Sequence, residues 1–343
     1  MSATAIYALT RRGAELGARL ASELNGDLYL PERFAMDFDA IGFSEFMPLL
    51  ASKFREYPSH VFIGATGIVV RALSGILGAK HTDPCMVVVD QAGRYAISLV
   101  GGHLGGGNEL ARKVALITGG EAVITTATDV EGLPSIDLLT LEWGLSIGNL
   151  EAVKEINAAI LERSTIQVFD PGDWTGLKRQ NLGLRLQWIE MEDQWDPGIP
   201  GLFVTWKKMK PLSRQLLLHP RCLIGGLGCN RGTKAEEILA LIEEVFEREA
   251  LALSSLSCLA SIALKSEELG LLEAARALNL PLRFFSGEEL NSVDVPNPSR
   301  MPKVHVGAKS VCEAAAILGA KGGSLIVPKQ KSSNATLAVA LAV

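Results

Sequence analysis

The sequence predicts a multidomain α/β protein with mixed, mostly parallel sheets flanked by helices and a separate α/β domain at the C-terminus. The 343 residues exceed the usual length of one domain. Apolar residues make up 48% of the chain and charged residues 21%, which is typical of a globular protein. Short apolar runs also alternate with amphipathic stretches, as in βαβ units. Shifts in composition divide the chain into domains 1–133, 134–220 and 221–343.

The first domain has the pattern of an open α/β sheet. Thr10 is placed to cap the first helix, and the turn 90–93 joins two strands as a hairpin, so the sheet is mixed. Polar and glycine-rich segments follow the strand ends. The predicted strands are 5–9, 28–30, 61–63, 86–89, 95–99 and 122–124, and the predicted helices are 10–24, one after 67, and 109–117.

The middle domain stands out because it contains every tryptophan of the chain. These rings could form the walls of a pocket for a large flat ligand, or they could fill a core and its interfaces. The sequence leaves both alternatives open. The residues are Trp143, Trp174, Trp188, Trp195 and Trp206.

The C-terminal domain begins a new α/β unit with a strand at 222–227. Capping boxes that begin at Thr233, Ser286 and Ser310 predict three helix starts. A strand at 325–327, a loop at 328–331 and a closing helix complete the prediction.

Composition and charge exclude several classes of partner. The net charge of −5 argues against nucleic acid, because a duplex-binding domain usually carries a basic surplus. We find no apolar stretch of the roughly 20 residues that a membrane span needs, and no secretory signal at the N-terminus. The five cysteines are odd in number and lack Cys-x-x-Cys spacing, which argues against disulfides and structural zinc. We therefore expect a cytoplasmic protein.

Three glycine-rich segments could bind anions at helix starts, where free backbone amides and the helix dipole favour negative charge. They are 64–67, 101–108 and 225–232. None matches the phosphate-binding loop or the dinucleotide fingerprint, which argues against ATP and NAD. The alternative is that each segment is only a tight turn between a strand and a helix.

His103 is the histidine best placed for chemistry, because three glycines follow it at 105–107 in what reads as an uncovered loop. A neutral imidazole there could act as a general base, although a histidine satisfied by hydrogen bonds is the alternative. Asp83 and Asp129 could orient the ring. His81 and His103 lack a third ligand, so we expect no metal site.

Four segments in the first domain together resemble the cobalamin-biosynthesis family CbiG, the cobalt-precorrin-5A hydrolases: 64–71, 80–84, 101–111 and 124–129. The likeness continues through 226–232, 265–270, 310–315 and Lys329, which resemble the family's C-terminal domain and its free-standing relative CobE. It covers nearly the whole chain. Ser261 stands where the family has threonine, so the hydroxyl is kept.

The resemblance implies a substrate that is a cobalt-bearing, contracted-ring tetrapyrrole with a δ-lactone between a side-chain acetate and the former meso carbon. The enzyme opens this lactone with water and releases the two-carbon fragment as acetaldehyde. No cofactor is expected beyond the cobalt in the substrate. The alternative is a non-catalytic corrinoid-binding or channelling protein, and acetaldehyde release distinguishes the two.

The chemistry assigns roles to residues in the matching segments. His103 would activate water, while Lys80 or the amides of 101–107 would stabilise the oxyanion. The acetates and propionates of the substrate call for cationic and amide-rich binding loops. The predicted catalytic residues are His103, Lys80 and Asp83. The predicted substrate-binding residues are Gly64, Thr66, Gly67, Arg71, Gly101, Gly102, Gly105, Gly106, Asn108, Thr126, Asp129, Arg231, Lys265 and Lys329. Transient contacts with neighbouring pathway enzymes are expected.

Overall fold

The computed structural model describes residues 4–79, 82–297 and 310–342. Lys80, one of the predicted catalytic residues, lies outside the described residues. Contacts divide the chain into two compact units, Met1–Leu139 and Thr140–Val343. The fold class is confirmed, because each unit is built from mixed, mostly parallel sheets flanked by helices.

The first unit carries a seven-stranded sheet. Its strands are β1 (Thr4–Ala8), β2 (Asp27–Pro31), β3 (Ile41–Phe43), β4 (Ser59–Ile63), β5 (Cys85–Val89), β6 (Tyr95–Val100) and β7 (Glu121–Val123), in the order β3-β2-β1-β4-β5-β6-β7. All neighbouring strands are parallel except β5 and β6, which form the predicted antiparallel hairpin. Strand β3 was not predicted.

Helices cover both faces of this sheet. They are α1 (Arg11–Leu24), α2 (Glu32–Ala35), α3 (Phe46–Lys53), α4 (Thr66–Leu73), α5 (Gly107–Thr118), α6 (Ala127–Val130) and α7 (Ile136–Glu142), the last of which crosses the boundary between the units. Residues of α1 and α5 share one core, and those of α3 and α4 share the other. Neighbours in β1 alternate between the two cores, Ile6 into the first and Tyr7 into the second, as strand geometry requires.

Local signals explain why these elements form where they do. The side chain of Thr10 accepts a hydrogen bond from the amide of Gly13 at 3.0 Å, which confirms the predicted helix cap. In the hairpin turn, the carboxylate of Asp90 accepts from the amides of Ala92, Arg94 and Tyr95. One side chain therefore satisfies the turn between β5 and β6.

Strand direction sends the two glycine-rich segments of this unit to opposite edges of the sheet. Residues 64–67 follow the end of β4, and the amide of Gly64 donates to Val89 at the end of β5. Residues 101–106 follow Val100, which pairs with Met86 near the start of β5. We name these the carboxyl edge and the amino edge, after the ends of β4 and β5. A five-residue strand separates them by about 15 Å.

The second unit begins with a five-stranded sheet built by the middle part of the chain. Its strands are β8 (Leu145–Ile147), β9 (Thr165–Phe169), β10 (Arg185–Ile189), β11 (Gly201–Val204) and β12 (Gln215–Pro220), in the order β10-β9-β11-β12-β8, with α8 at Val153–Leu161. Trp195 is buried in its core, and Trp174 and Trp206 pack against the core of the following sheet. These three rings are core and interface filler rather than walls of a pocket.

The second sheet of this unit has the order β15-β14-β13-β17-β16. Its strands are β13 (Leu223–Cys229), β14 (Leu256–Ile262), β15 (Leu282–Phe285), β16 (Ser324–Lys331) and β17 (Ala335–Leu341), and its helices are α9 (Ala235–Arg248), α10 (Leu269–Ala277), α11 (Gly287–Asn291) and α12 (Val311–Gly319). None of the helices in the described part of the chain is long and apolar enough to cross a membrane.

Two predictions for the end of the chain are wrong. Residues 328–331 continue β16 rather than forming a loop, and the predicted closing helix is strand β17. Pro328 is tolerated because β16 is an edge strand whose register shifts there. The alanine-rich run 335–341 pairs with β13 and β16, so tertiary pairing overrides its helical propensity.

The three predicted capping boxes have different outcomes. The box at Ser286 is confirmed, with both reciprocal hydrogen bonds formed. The box at Thr233 is wrong, because α9 starts later and this hydroxyl donates to the carbonyls of Asn230 and Asn334. At Ser310 the helix start is right but the box is wrong. The buried carboxylate of Glu313 accepts instead from the amides of Asn297 and Lys329.

Candidate active site

The loop between β6 and α5 folds tightly on itself at the amino edge of the first sheet. Gly101 has φ +69°, and a Cβ on it would lie 3.0 Å from the Cα of Cys85. A Cβ on Gly105 would lie 2.7 Å from the carbonyl oxygen of Gly101. The glycines therefore allow close backbone approach, and the prediction that they form a flexible, uncovered loop is wrong.

Several amides of this loop are already bonded within it. Those of Gly106, Gly107 and Asn108 donate to the carbonyls of His103, Gly101 and Gly102 at 2.8 to 2.9 Å. The predicted oxyanion role of the amides of 101–107 therefore does not extend to Gly106 and Gly107.

His103 lies between two carboxylates. Its Nε2 is 3.0 Å from Oδ2 of Asp129, and its Nδ1 is 3.3 Å from Oδ2 of Asp137. The hydroxyl of Thr128 is 3.3 Å from Nε2. Only 9% of the imidazole is exposed. The ring is thus held and largely covered, because both of its nitrogens face acidic side chains.

Asp129 is the centre of the hydrogen-bond network around His103. Its Oδ2 accepts from the hydroxyl of Thr126 at 2.6 Å and from the amide group of Asn108 at 2.9 Å. Its Oδ1 accepts from Arg112 at 2.5 Å. The structure thus brings together His103, Asn108, Thr126 and Asp129, which the sequence placed in two separate segments. These contacts follow from topology, because β6 and β7 are parallel and end at the same edge.

The electrostatics of this cluster favour charged forms of both His103 and Asp129. Hydrogen bonds and charge from Asp137 and Asp129 raise the pKa of His103 above its ordinary value, against the opposing effect of burial. Burial would raise the pKa of Asp129, but hydrogen bonds from Thr126, His103 and Arg112 outweigh it and lower the value to about 2. Asp129 is therefore an anion at neutral pH, and His103 binds a proton more tightly than a free imidazole does.

Other predicted residues of the first unit contact different groups. Asp83 is buried and accepts from the amide of Gly78 at 2.7 Å and from Arg55 at 3.4 Å. The predicted binding residues Gly64, Thr66, Gly67 and Arg71 belong to the opposite, carboxyl edge of the sheet. There the guanidinium of Arg71 donates to the carbonyl of Gly67 at 3.1 Å.

Two of the three predicted cations of the C-terminal sheet lie in a second cluster. Arg231 and Lys265 line a crevice of about 790 Å³ at the carboxyl ends of β13 and β14. The carboxylate of Glu268 in this crevice accepts from Lys265 at 3.0 Å and from the amide of Gly232 at 2.6 Å. Lys329 lies on β16, outside the residues that line the crevice.

Sequence reasoning missed three side chains of the His103 cluster: Arg112, Asp137 and Thr128, the last of which stands inside the predicted polar run 125–129. Arg112 lies mid-helix on α5, where a cation looks like part of an exposed face. Asp137 lies in the first turn of α7, where an acidic residue is already explained by the helix dipole. It also lies beyond the predicted domain end at 133, although it contacts His103 within the first compact unit. Its position between Ile136 and Leu138 was the available signal of burial.

These features define the protein as an open α/β-sheet protein of the kind that binds small molecules. Its tight glycine loop holds one imidazole between two aspartates. Such an arrangement is suited to proton transfer on a small molecule.

Family comparisons identify the particular group within this class. The first part of the chain, residues 48–129, matches the family model "Cobalamin synthesis G N-terminal". Residues 134–220 match "Cobalamin biosynthesis central region", and residues 223–340 match "Cobalamin synthesis G C-terminus". A "Cobalt-precorrin-5A hydrolase" from Priestia megaterium is 32% identical, over 98% of this chain and 94% of that protein.

Two further relatives agree with these matches. A protein of the same name from Salmonella typhimurium is 30% identical, over 93% of this chain and 92% of its own length. "Protein CobE" from Sinorhizobium sp is 36% identical over 34% of this chain and 79% of that protein. The chain therefore belongs to the CbiG family of cobalt-precorrin-5A hydrolases, with a CobE-like C-terminal part, and the predicted resemblance is confirmed.

Proposed function

We propose that this chain opens the δ-lactone of cobalt-precorrin-5A with water, giving cobalt-precorrin-5B and acetaldehyde, in the anaerobic biosynthesis of cobalamin. The observation that carries the proposal is the near full-length likeness to two hydrolases of that name, at 32% and 30% identity. The part of this chain that aligns with these two hydrolases covers nearly its full length, and the His103 cluster offers chemistry that suits the reaction.

His103 is the proton-transfer group in this proposal. Lactone opening leaves an oxygen that must gain a proton, and release of acetaldehyde requires a hydroxyl that loses one. An imidazole changes its protonation near neutral pH and can serve both needs. The fixed contacts to Asp129 and Asp137 hold the ring in one orientation, so the proton is held in a constant direction.

The substrate carboxylates are proposed to bind at cationic and amide-rich positions away from the reacting lactone. Arg231 and Lys265 are suited to this because both line one open crevice. Arg71 and residues 64–67 lie where strand order reverses, between β1 and β4, a place where open α/β sheets bind ligands. Because that edge is about a strand length from His103, the lactone itself is assigned to the amino edge.

The cellular setting completes the proposal. We propose a cytoplasmic enzyme, supported by the five cysteines, which are all free thiols as a reducing compartment requires. It uses no cofactor beyond the cobalt that the substrate carries, and it contacts neighbouring pathway enzymes only transiently.

The experiment is a product assay with the purified chain and the lactone intermediate. Ring-opened product is followed by mass spectrometry, and acetaldehyde by a coupled alcohol dehydrogenase. We expect the two products in equal amounts, at a rate proportional to enzyme concentration. Binding of the corrinoid with no acetaldehyde would contradict the proposal and favour a carrier.

A further inference from the structure

His103 has a carboxylate on each ring nitrogen, and only one of these carboxylates belongs to the segments that match the family pattern by motif. Asp129 ends the polar run 125–129, whereas Asp137 comes from the next helix, α7. We infer that Asp137 is a positioning residue that, together with Asp129, holds His103 in its doubly protonated form, so that His103 acts first as a proton donor. This inference rests on the proposed lactone hydrolysis.

The geometry argues against a neutral ring in this position. A neutral imidazole has one N–H and one lone pair, so one of its nitrogens would direct a lone pair at a carboxylate oxygen. With contacts of 3.0 Å to Asp129 and 3.3 Å to Asp137, that arrangement is repulsive. The imidazolium donates from both nitrogens and removes the conflict.

The charges that face the cluster from each packed element lead to the same conclusion. Helix α5 contributes Arg112, helix α6 contributes Asp129 and helix α7 contributes Asp137. Neutral side chains of Asn108, Thr126 and Thr128 also contact the cluster. Glu109 is exposed and lies 3.5 Å from Arg112. Among the described residues, an imidazolium at His103 therefore lies between two carboxylates, one of which also contacts the guanidinium of Arg112.

Asp137 is the partner that contacts the second ring nitrogen of His103. Its side chain is 7% exposed and faces Nδ1, the nitrogen that Asp129 does not contact. Asp129 also binds Arg112, Asn108 and Thr126, so its loss would disturb the whole loop. Substitution of Asp137 therefore tests the protonation of His103 while the network around Asp129 is kept.

A proton donor balances the proposed reaction. Water adds to the lactone carbonyl and loses one proton to solvent, and the bond from the acyl carbon to the lactone oxygen breaks. The proton on Nδ1 of His103, which faces Asp137 across the longer of the two contacts, passes to that oxygen. The new side-chain acid loses its proton to solvent. The neutral ring then takes the hydroxyl proton as the carbon–carbon bond breaks, its electron pair passes to the conjugated macrocycle, and acetaldehyde leaves. His103 ends as the imidazolium that began the cycle.

The first test measures the ring directly, without substrate. The imidazole of His103 is titrated by NMR, with its signal assigned by its loss in His103→Gln. In Asp137→Asn we expect the titration midpoint to fall by about one pH unit, since one charged partner is gone. The matched control is Asp37→Asn, an exposed aspartate paired with Arg11 after β2, which should leave the midpoint unchanged.

The second test measures turnover of the lactone. At pH 8 we expect kcat of Asp137→Asn to fall by about three- to tenfold, because a midpoint lowered by about one pH unit leaves less of the ring protonated, while KM stays within about twofold. Asp137→Glu should restore part of the rate by restoring the charge. A thermal melt checks that each variant is folded.

The outcomes separate the two proposals. If the unmodified chain releases no acetaldehyde, the proposed function fails whatever the NMR titration shows. If the unmodified chain is active but Asp137→Asn keeps both its titration midpoint and its kcat, the role of Asp137 is overturned. A lower midpoint with an unchanged rate at pH 8 would also overturn the donor role of His103.

Discussion

Two clusters in the molecule set an acidic side chain against a basic one beside a turn that joins a strand to a helix. In the first unit, His103 contacts both Asp129 and Asp137. In the C-terminal sheet, Lys265 contacts Glu268 alone, and that carboxylate also accepts the amide of Gly232. The first cluster surrounds a side chain that exchanges protons near neutral pH, whereas the second presents a fixed point charge in an open crevice.

The two regions are therefore suited to different tasks in the proposed reaction. A ring enclosed by hydrogen bonds is suited to directed proton transfer, because its orientation and proton affinity are both fixed. An open crevice with Arg231 and Lys265 is suited to the carboxylates at the rim of a corrinoid. We therefore assign proton transfer to the first unit and anion binding to the C-terminal sheet.

Removal of the first unit and the middle part of the chain should have the largest effect on lactone hydrolysis. We predict that the fragment 222–343 melts cooperatively, because both faces of its sheet are covered by its own helices, and that it releases no acetaldehyde. Its melting temperature should lie below that of the full chain, since Trp174 and Trp206 no longer cover its core. Calorimetry and the product assay check both results. Lactone turnover by the fragment would invalidate the assignment.

Removal of the imidazole should give the next largest effect. His103→Gln keeps hydrogen-bonding capacity but cannot exchange a proton near neutral pH, so we expect lactone turnover to fall by about a hundredfold to ten-thousandfold. Corrinoid affinity should change little. The contacts to Asp129 and Asp137 also imply that His103→Ala loses about 1 to 3 kcal/mol of stability, because two carboxylates lose their shared donor.

The loss of stability expected for His103→Ala is larger than that for an exposed loop residue, as which the sequence presents His103. Loss of such a side chain would cost only about 0.5 kcal/mol. Denaturant unfolding monitored by circular dichroism measures the difference. A His103→Ala variant as stable as the unmodified chain would show that the carboxylate contacts are not stabilising.

Removal of the positive charges in the crevice should have a smaller effect. It should weaken binding of the corrinoid and leave the rate of the chemical step unchanged. Arg231→Ala or Lys265→Ala is expected to raise the dissociation constant for the corrinoid about tenfold each, through loss of a charge-assisted hydrogen bond. Lys154→Ala, an exposed cation on α8, is the control. Isothermal titration calorimetry on variants that also carry His103→Gln measures the affinity for the corrinoid without turnover. Equal affinities in all variants would remove the crevice from the substrate site.

Acid stability should show the smallest difference. The pKa of Asp129 is lowered from 3.8 to about 2, so its ionised form stabilises the fold above about pH 4, and this contribution is lost as the pH falls toward 2. In Asp129→Asn, the fall in the free energy of unfolding between pH 4 and pH 2 should be smaller by about 1 kcal/mol, which corresponds to about 2 to 4 °C in Tm. Thermal melts at several pH values measure it. Parallel curves for the two proteins would contradict the lowered pKa.

The sequence predicted the first sheet well because its signals are local. The cap at Thr10, the turn at Asp90 and the strand at Cys85–Val89 each depend on neighbouring residues. The end of the chain was predicted poorly, because β17 is held in the sheet by pairing with β13, more than 100 residues earlier, as well as with its neighbour β16. Local propensity carries no information about that partner.

The candidate site was predictable to a similar extent. The residues His103, Asn108, Thr126 and Asp129 stand in recognisable segments, and parallel strands β6 and β7 bring them together. Asp137 was missed because its contact with His103 spans 34 positions and an acidic residue at a helix start already has a local explanation. The prediction also assigned residues at both edges of the sheet to one substrate site, although the predicted hairpin of β5 and β6 already places residues 64–67 and 101–106 at opposite edges.

In the proposed reaction, His103 begins as a protonated ring held by Asp129 and Asp137. The most direct test is the pH dependence of kcat/KM for the lactone, which reports the essential acid of the free enzyme. Because the pKa of His103 is raised above its ordinary value, we predict a rate that is full at pH values below that pKa and falls as the pH rises through it, while His103→Gln gives a low, flat profile. A rate that instead rises with pH through neutrality would contradict the claim and restore His103 as a base.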